Sequence, residues 1–398
     1  MAATPATVPV ARVRARPQWL ETLAVQIGAL LLALLISLLI GAVIVLLYGE
    51  DPIDVYSTIL EYAFRDATSL GTVLSIATPL IFSALAVAVC FKAGLFNIGV
   101  EGQFLIGMVT ATWAALNLDF LPGATLAVAV LLFAMLGGMI YAAIPAVLKV
   151  KTGAHEVVTT IMLNGIAVSF LAWALNGPLK FSEGGAFNVD LRSDKFAENA
   201  LMPNIGEAFG MNRSADLSLL FPLALVAALL VWFMFKRTRL GYEARAVGSS
   251  PGSALAGGIS IGGVQIKLFL ISGALAGLIG MQQLLVDKGA LVQNYEAQLG
   301  FVGIGVAFLA QNNPIGIIFA AIFWSVLSRG ESGLQINTEM PREFVIILQS
   351  IFIMTVVIVY QVARRWVARR QLAREGMVED MEDSAAVSDV EGLAREDA

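Results

Sequence analysis

Long apolar runs separated by short polar segments dominate the chain. Most of these runs approach or exceed the roughly 20 residues that an α-helix needs to cross the hydrocarbon core of a bilayer. The pattern therefore predicts an all-α polytopic membrane protein with about ten transmembrane helices. The runs cover residues 20–48, 69–91, 97–118, 123–148, 156–175, 217–235, 264–287, 299–311, 314–328 and 343–363.

Composition supports this prediction and excludes several classes of function. The 398 residues are 58% apolar and 14% charged, against about 25% charged residues in soluble domains. Little chain is left for a large catalytic domain outside the membrane. A single cysteine, Cys90, and a single histidine, His155, exclude an intrachain disulfide and a multi-histidine metal site. We expect no metal site, and no surface suited to nucleic acid.

The net charge of −5 is unevenly distributed. Nine acidic residues and one arginine follow from Glu375 onwards, which leaves the rest of the chain at +3. Positive loops face the cytoplasm, and the short loops fit an N-inside, C-inside orientation. The loops predicted to lie inside carry Lys92, Lys149, Lys151, Lys236, Arg237, Arg239, Arg245, Arg364, Arg365, Arg369 and Arg370. Those predicted to lie outside carry Arg65, Lys180, Arg192, Lys195, Arg213, Lys288, Arg329 and Arg342.

These patterns divide the chain into three parts. Residues 1–19 form a cytoplasmic N-terminal segment, and residues 20–365 form the transmembrane domain. Within that domain, 176–216 is a polar extracytoplasmic loop and 236–263 a polar cytoplasmic loop. Residues 366–398 form a cytoplasmic tail that is acidic from residue 375, where its composition predicts disorder.

A short polar pattern occurs twice. In each copy a lysine near a glycine ends a span, an asparagine follows, and Glu-x-Gln opens the next span. The copies are Lys92, Gly94, Asn97, Glu101 and Gln103, and Lys288, Gly289, Asn294, Glu296 and Gln298. Spans two to five thus match spans seven to ten. An offset of five spans reverses direction through the bilayer, so the pattern predicts an inverted-topology repeat, an architecture typical of transporters.

The segment 94–108, GLFNIGVEGQFLIGM, combines four glycines with Asn97, Glu101 and Gln103. Glycine lowers helix propensity, and polar side chains at membrane depth need protein or water as partners. The pattern favours an interrupted helix that lines a translocation pathway. The alternative is a cytoplasmic turn in which Glu101 caps the first turn of the third span.

This segment and residues 240–280 resemble the permease subunits of bacterial ATP-binding cassette (ABC) importers for nucleosides. These belong to a larger class whose members also import simple sugars and branched-chain amino acids. The resemblance covers about residues 20–365. The first motif fits the nucleoside branch better than the sugar branch, which usually has a Gly-Ile-Asp-Leu-Ser type of sequence there.

The resemblance implies that the 236–263 loop is a coupling segment that sits in a groove of an ATPase subunit. Small and turn-forming residues between two charged turns suit a compact inserted loop, although an ordinary polar connector is the alternative. The residues assigned to ATPase coupling are Tyr242, Glu243, Arg245, Ala246, Gly248, Ala254 and Gly257.

The chain has no G-x-x-x-x-G-K-[ST] phosphate-binding loop. We therefore expect it to bind no cofactor and not to be an enzyme, with ATP and Mg²⁺ used by a separate ATPase. The resemblance also implies a second permease, either another copy or a paralogue, and an extracytoplasmic solute-binding protein. The expected location is the bacterial cytoplasmic membrane.

Polar residues inside the predicted spans are candidates for contact with substrate. They are Ser75, Thr78, Asn97, Gln103, Thr159, Thr160, Asn164, Ser169, Gln282, Gln283, Asn294, Gln298 and Gln349. Nucleosides also favour aromatic surfaces for stacking. The pathway prediction consists of Asn97, Gln103, Phe104, Asn164, Trp173, Asn294, Gln298 and Phe301.

Two other classes of function were weighed. An ion-coupled secondary transporter of a small polar solute predicts carboxylates near the membrane centre, whereas the acidic residues here cluster near the predicted span ends. An intramembrane enzyme or scaffold would need a catalytic or docking constellation that one histidine, one cysteine and no paired central carboxylates do not provide. The sequence leaves the choice among purine nucleosides, pyrimidine nucleosides and simple sugars open.

Overall fold

A computed structural model describes residues 18–181, 191–293, 295, 298–338, 340–341, 343–363 and 365–366. Within these residues the fold is helical and has no regular β-strand. The helices are α1 (Gln18–Tyr48), α2 (Pro52–Phe64), α3 (Ala67–Phe91), α4 (Val100–Asn117), α5 (Ala124–Thr152), α6 (Glu156–Asn176), α7 (Leu220–Arg237), α8 (Arg239–Ser249), α9 (Pro251–Ala256), α10 (Ile261–Gly277), α11 (Leu299–Leu309), α12 (Pro314–Asn337) and α13 (Glu343–Ala363).

The chain forms two compact units. One runs from Val45 to Gln349, and the other comprises the described parts of the two chain ends. The first unit holds α2 to α12 and the start of α13, and every contact described below lies in it. Most of residues 1–19 and of the acidic tail lie outside the described residues.

Each of the ten predicted spans coincides with a helix. Seven helices, α1, α3, α5, α6, α7, α12 and α13, are long and apolar enough to cross a membrane. The other three predicted spans correspond to α4, α10 and α11, and α10 and α11 have only 17 and 11 residues. A turn and a π-helix, Gln283–Lys288, continue from α10. The irregular spans are thus the third, seventh and eighth.

The structure differs from the predicted boundaries in two places. Helix α2 has no counterpart among the apolar runs; it starts with Asp51, whose carboxylate accepts from the Ile53 N–H, and with Pro52 in its first turn. Helix α12 continues beyond residue 328, so Arg329 lies in a helix and not in the predicted outer loop. The Arg329 guanidinium lies 4.9 Å from the Tyr62 ring centre, and this contact allows a cation within the helix.

Helix α3 forms the centre of the unit, with 89% of its apolar window buried. Close helix packing elsewhere depends on small residues. A side chain added to Gly273 or Gly277 of α10 would collide with backbone carbonyls of Gly138 or Ala134 in α5. These glycines therefore allow α10 and α5 to approach closely.

Equivalent helices of the two halves make equivalent contacts across the halves. Helix α10 packs on α5, and its repeat partner α3 packs on the corresponding helix α12. Gly303 of α11 lies against Ser83 of α3, and Gly107 of α4 lies against Gly277 of α10. The repeat is therefore visible at the level of whole helices.

The residue-by-residue correspondence of the two polar motifs is wrong. Glu101 and Gln103 lie inside α4, which begins at Val100, whereas Gln298 comes just before Leu299, the first residue of α11; Asn294 and Glu296 lie outside the described residues. Gln298 occupies the left-handed backbone conformation with φ of 73°. Counted from the helix starts, the residue that corresponds to Glu101 is Gly300.

The described part of the predicted outer loop packs along the π-helix and the residues after it. The Ser193 N–H donates to the Leu291 carbonyl at 2.8 Å, and the Met202 N–H donates to the Leu285 carbonyl at 3.1 Å. These main-chain bonds fix the loop to the predicted outer end of the seventh span.

Candidate functional site

Residues 92–99 of the predicted pathway segment are not helical and connect α3 to α4, whereas residues 100–108 lie in the continuous helix α4. The Asn97 amide nitrogen donates to Gln103 Oε1 at 3.0 Å and to the Ser272 hydroxyl of α10 at 2.8 Å. The Gln103 amide nitrogen donates back to Asn97 Oδ1 at 3.0 Å. Ser272 in turn donates to the Ala86 carbonyl of α3 at 2.6 Å. The network is buried and joins this connecting segment to α3 and α10.

The Asn164 side chain forms hydrogen bonds with backbone groups at the start of α4. Its Oδ1 accepts from the Gly102 N–H at 2.8 Å, and its amide nitrogen donates to the Ile98 carbonyl at 3.0 Å. The predicted depth of Asn164, eight residues into α6, is about 12 Å at the helical rise per residue. The start of α4 therefore lies well inside the fold, next to the middle of α6.

The start of α11 lies against the start of α4. Glu101 Oε1 accepts from the Gln298 N–H and Oε2 from the Gly300 N–H, both at 2.8 Å. The Ser83 hydroxyl of α3 donates to the Leu299 carbonyl at 2.9 Å. Glu101 thus does not cap its own helix, as the cytoplasmic-turn alternative supposed, but caps the helix of the other repeat.

The predicted pathway residues have different environments. Asn97, Gln103 and Phe104 are buried, and the Phe104 ring lies edge-on to Tyr295 with centres 6.0 Å apart. Trp173 is 58% exposed and lies 5.2 Å from the ring of Phe170. Asn164 is buried, Gln298 contributes a main-chain donor, and Phe301 is 42% exposed. Asn294 lies outside the described residues. A pathway role for this set stays a prediction.

A cavity of about 290 Å³ with both polar and apolar side chains in its lining lies among α3, the π-helix, α11, α12 and the start of α13. Its volume is near the lower end of the roughly 300–1,000 Å³ typical of small-molecule sites. Among the described residues of the pathway set, none lines it. Its lining residues are Ser75, Ile76, Pro79, Leu80, Gln282, Gln283, Asp287, Leu299, Val302, Trp324, Ser328, Glu331, Ile346 and Gln349.

Four of these lining residues were among the polar candidates identified from the sequence: Ser75, Gln282, Gln283 and Gln349. Asp287, Ser328 and Glu331 were missed, because a charged or polar residue near the end of an apolar run indicates that the span has ended. In the structure, Asp287 belongs to a π-helix that ends the seventh span, and α12 continues by about two turns beyond residue 328. The helical spacing of Trp324, Ser328 and Glu331 could have indicated that these residues share one face of a longer helix.

Gln282 connects the wall of the cavity to the outer loop. Its amide nitrogen donates to the Ser75 hydroxyl at 2.8 Å and to the Asp216 carbonyl at 2.9 Å. Its Oε1 accepts from the Ser218 hydroxyl at 3.2 Å. Asp216 has a φ of 51°, which is uncommon for a residue other than glycine. The side chain therefore joins α3, the beginning of the π-helix and the segment that leads into α7.

The predicted coupling loop contains two short helices, α8 and α9. Thr238 caps α8 and Ser250 caps α9 through their hydroxyl groups. Arg245 donates to the Phe235 carbonyl at the end of α7, and a side chain at Gly248 would collide with the Lys92 carbonyl. The loop is thus packed against the ends of α3 and α7, with a defined outer face.

The residues predicted for ATPase coupling divide between the inner and outer faces of this loop. Ala254 is buried and Ala246 is half-buried, whereas Tyr242 is 62% exposed and Gly257 ends α9 at the surface. Glu243 pairs with Arg239 at 2.7 Å. Leu255, which the sequence analysis did not single out, is 64% exposed. A coupling role stays a prediction, and the exposed members are its direct candidates.

Three cations lie near one another where the coupling loop meets α3 and α7. Burial, together with the charges of Lys236 and Arg245, lowers the pKa of Lys92. This face therefore presents concentrated positive charge, which agrees with its predicted cytoplasmic side.

Comparison with known proteins identifies the family. Residues 69–360 match the family described as branched-chain amino acid transport system / permease component. The nucleoside ABC transporter permease protein NupB of Lactococcus lactis is 33% identical, over 79% of this chain and 86% of that one. The guanosine ABC transporter permease protein NupP of Bacillus subtilis is 33% identical, over 83% and 93%. The glucose ABC transporter permease protein TsgB13 of Haloferax volcanii is 32% identical, over 86% and 88%. The chain therefore belongs to this permease family and is a multi-pass membrane component of an ABC transporter.

Proposed function

We propose that this chain is the permease subunit of an importer that moves nucleosides, or related simple sugars, across the cytoplasmic membrane by alternating access. The observation that carries the proposal is the similarity to two nucleoside permeases over most of both chains. A glucose permease is nearly as similar, which keeps sugars within the proposed substrate range.

The side chains of the cavity suit a hydroxyl-rich solute, because the carboxylates of Asp287 and Glu331 can also accept from hydroxyl groups. Amide groups of Gln282, Gln283 and Gln349 can donate to and accept from ribose hydroxyls and base edges. Trp324 adds an aromatic surface to the lining; base stacking on such a surface is worth about 1–3 kcal/mol in nucleic-acid binders. A sugar would use the same amides without needing the ring.

We further propose that energy comes from a separate ATPase that uses ATP and Mg²⁺. The exposed faces of α8 and α9 would fit a groove of that subunit, because α8 is braced from behind by the ends of α3 and α7 and α9 packs on α8. A second permease, as another copy or a paralogue, and an outer solute-binding protein complete the proposed assembly. ATP binding would draw the coupling helices together and open the path alternately to each side.

The test is to reconstitute the permease with its ATPase and solute-binding protein in proteoliposomes. Purine nucleosides, pyrimidine nucleosides and simple sugars are then compared for stimulation of ATP hydrolysis and for uptake. We expect one class to stimulate both activities. Strong uptake by the permease alone under a proton or sodium gradient would instead establish a secondary transporter.

A further inference from the structure

Two helix starts meet inside the fold, and they come from different repeats. The N–H groups in the first turn of a helix lack partners within that helix. The side chain of Gln298, the N-cap residue of α11, does not accept from these N–H groups. Glu101, the second residue of α4, does so instead: its carboxylate accepts from the N–H groups of Gln298 and Gly300.

Two features of the α11 backbone make room for the carboxylate. Gln298 adopts a positive φ of 73°, which is rare for a residue with a side chain. At Gly300 a side chain would lie within 2.5 Å of the Glu101 backbone nitrogen. The close approach of α4 and α11 thus depends on a glycine on one side and on the carboxylate on the other.

The contact also belongs to a longer chain of bonds. Asn164 of α6 holds the start of α4 through Gly102 and Ile98. Glu101 then holds the start of α11, so the bonds run from α6 through α4 into the second repeat. A carboxylate is favoured at a helix start because it faces the positive end of the helix dipole.

We propose that Glu101 is a positioning residue that locks α4 and α11 into one rigid body, so that the central helices of the two repeats move together during transport. The inference rests on the proposed importer function and adds a specific mechanical role to it. Glu101 does not line the cavity of about 290 Å³, so this role does not require contact with substrate.

The central variant is Glu101→Gln. An amide has one oxygen that accepts and a nitrogen that donates, so one of the two backbone N–H groups would face another donor. We expect solute uptake to fall by roughly tenfold, since a buried donor left unpaired is strongly unfavourable. Glu101→Asp keeps both oxygens on a shorter stem and should recover part of the uptake. Solute-independent ATP hydrolysis and assembly with the ATPase should stay near the parent level.

A distance measurement separates positioning from simple destabilisation. Spin labels at Trp113 of α4 and Ile304 of α11, both partly exposed, report how rigidly these helices are held. We expect a narrow distance distribution for the otherwise unchanged protein and a broad one for Glu101→Gln. Gly300→Ala should broaden it in the same way, and combining the two changes should add little, because both break one contact.

Glu156→Gln is the matched control. Glu156 is also a buried carboxylate in a first helical turn, but it pairs with Lys149 at 2.6 Å within the first repeat. We expect its label distances to stay narrow. If Glu101→Gln and Gly300→Ala both keep a narrow distribution and full uptake, the inference is wrong. If the unchanged complex shows no ATP-driven uptake, the proposed function fails, and the distances still decide whether the lock exists.

Discussion

At the residue scale, polar side chains inside the spans form hydrogen bonds with backbone groups. Asn164 and Asn97 each bond to main-chain groups in the connection before α4 or in its first turn. The sequence identified these residues because an unpaired amide is costly at membrane depth. It could not identify their distant partners, which lie 62 to 66 positions away for Asn164 and, for the Asn97 bond to the Ser272 hydroxyl, 175 positions away.

Asn164→Leu should destabilise the protein. The Gly102 N–H and the Ile98 carbonyl would both lose a partner, and each unpaired buried group costs about 1–3 kcal/mol. We expect a clearly lower melting temperature for the purified protein in detergent. Ser169→Ala is the control, since that exposed hydroxyl bonds only within its own helix at Gly165. Equal melting of Asn164→Leu and the parent would contradict the capping role.

Gln282→Leu should impair uptake. It removes the donor to Ser75 and Asp216 and exposes an apolar group at the cavity wall. We expect uptake to fall by roughly tenfold, since polar groups at the cavity lose their partners. Asn199→Leu serves as a control because it also removes an amide that donates to a carbonyl, that of Leu121, away from the cavity. Unchanged uptake by Gln282→Leu would exclude this wall from the path.

At the scale of helices, apolar patterning located the ten spans well and their ends less well. Regular spans such as α3 and α5 follow directly from apolar length. The seventh span ends as a π-helix, and such helices often occur at functional sites. Arg329 marked a false span end because the sequence does not show that the Tyr62 ring accommodates its guanidinium.

Helices α8 and α9 offer a test of coupling that leaves the fold intact. Arg245 bonds to the end of α7 and Gly248 lies against the Lys92 carbonyl, so changes at these residues would mix packing with docking. Leu255→Glu instead alters an exposed side chain on α9. We expect it to weaken co-purification with the ATPase and to abolish solute-stimulated ATP hydrolysis while the permease still melts normally.

Phe120→Glu provides the comparison for this variant. Phe120 is 73% exposed and lies between α4 and α5 on the opposite predicted side of the membrane. It should leave ATPase binding unchanged. Normal ATPase binding by Leu255→Glu would remove α9 from the proposed docking surface.

At the scale of the whole molecule, the inverted repeat was visible in the sequence as an order of spans. The structure confirms it through equivalent contacts across the halves, as with Gly303 on Ser83 and Gly107 on Gly277. The repeat does not extend to the polar motif, because helix start points differ by several residues. One half supplies Glu101 and the other supplies the backbone donors, so the two halves are complementary at this contact and not identical.

The most direct test of the importer assignment is solute-dependent ATP hydrolysis by the reconstituted complex of permease, ATPase and solute-binding protein. We expect hydrolysis to rise with a nucleoside or a simple sugar, and uptake of that solute to require ATP. Hydrolysis that ignores every solute in the panel, together with ion-driven uptake by the permease alone, would contradict the assignment.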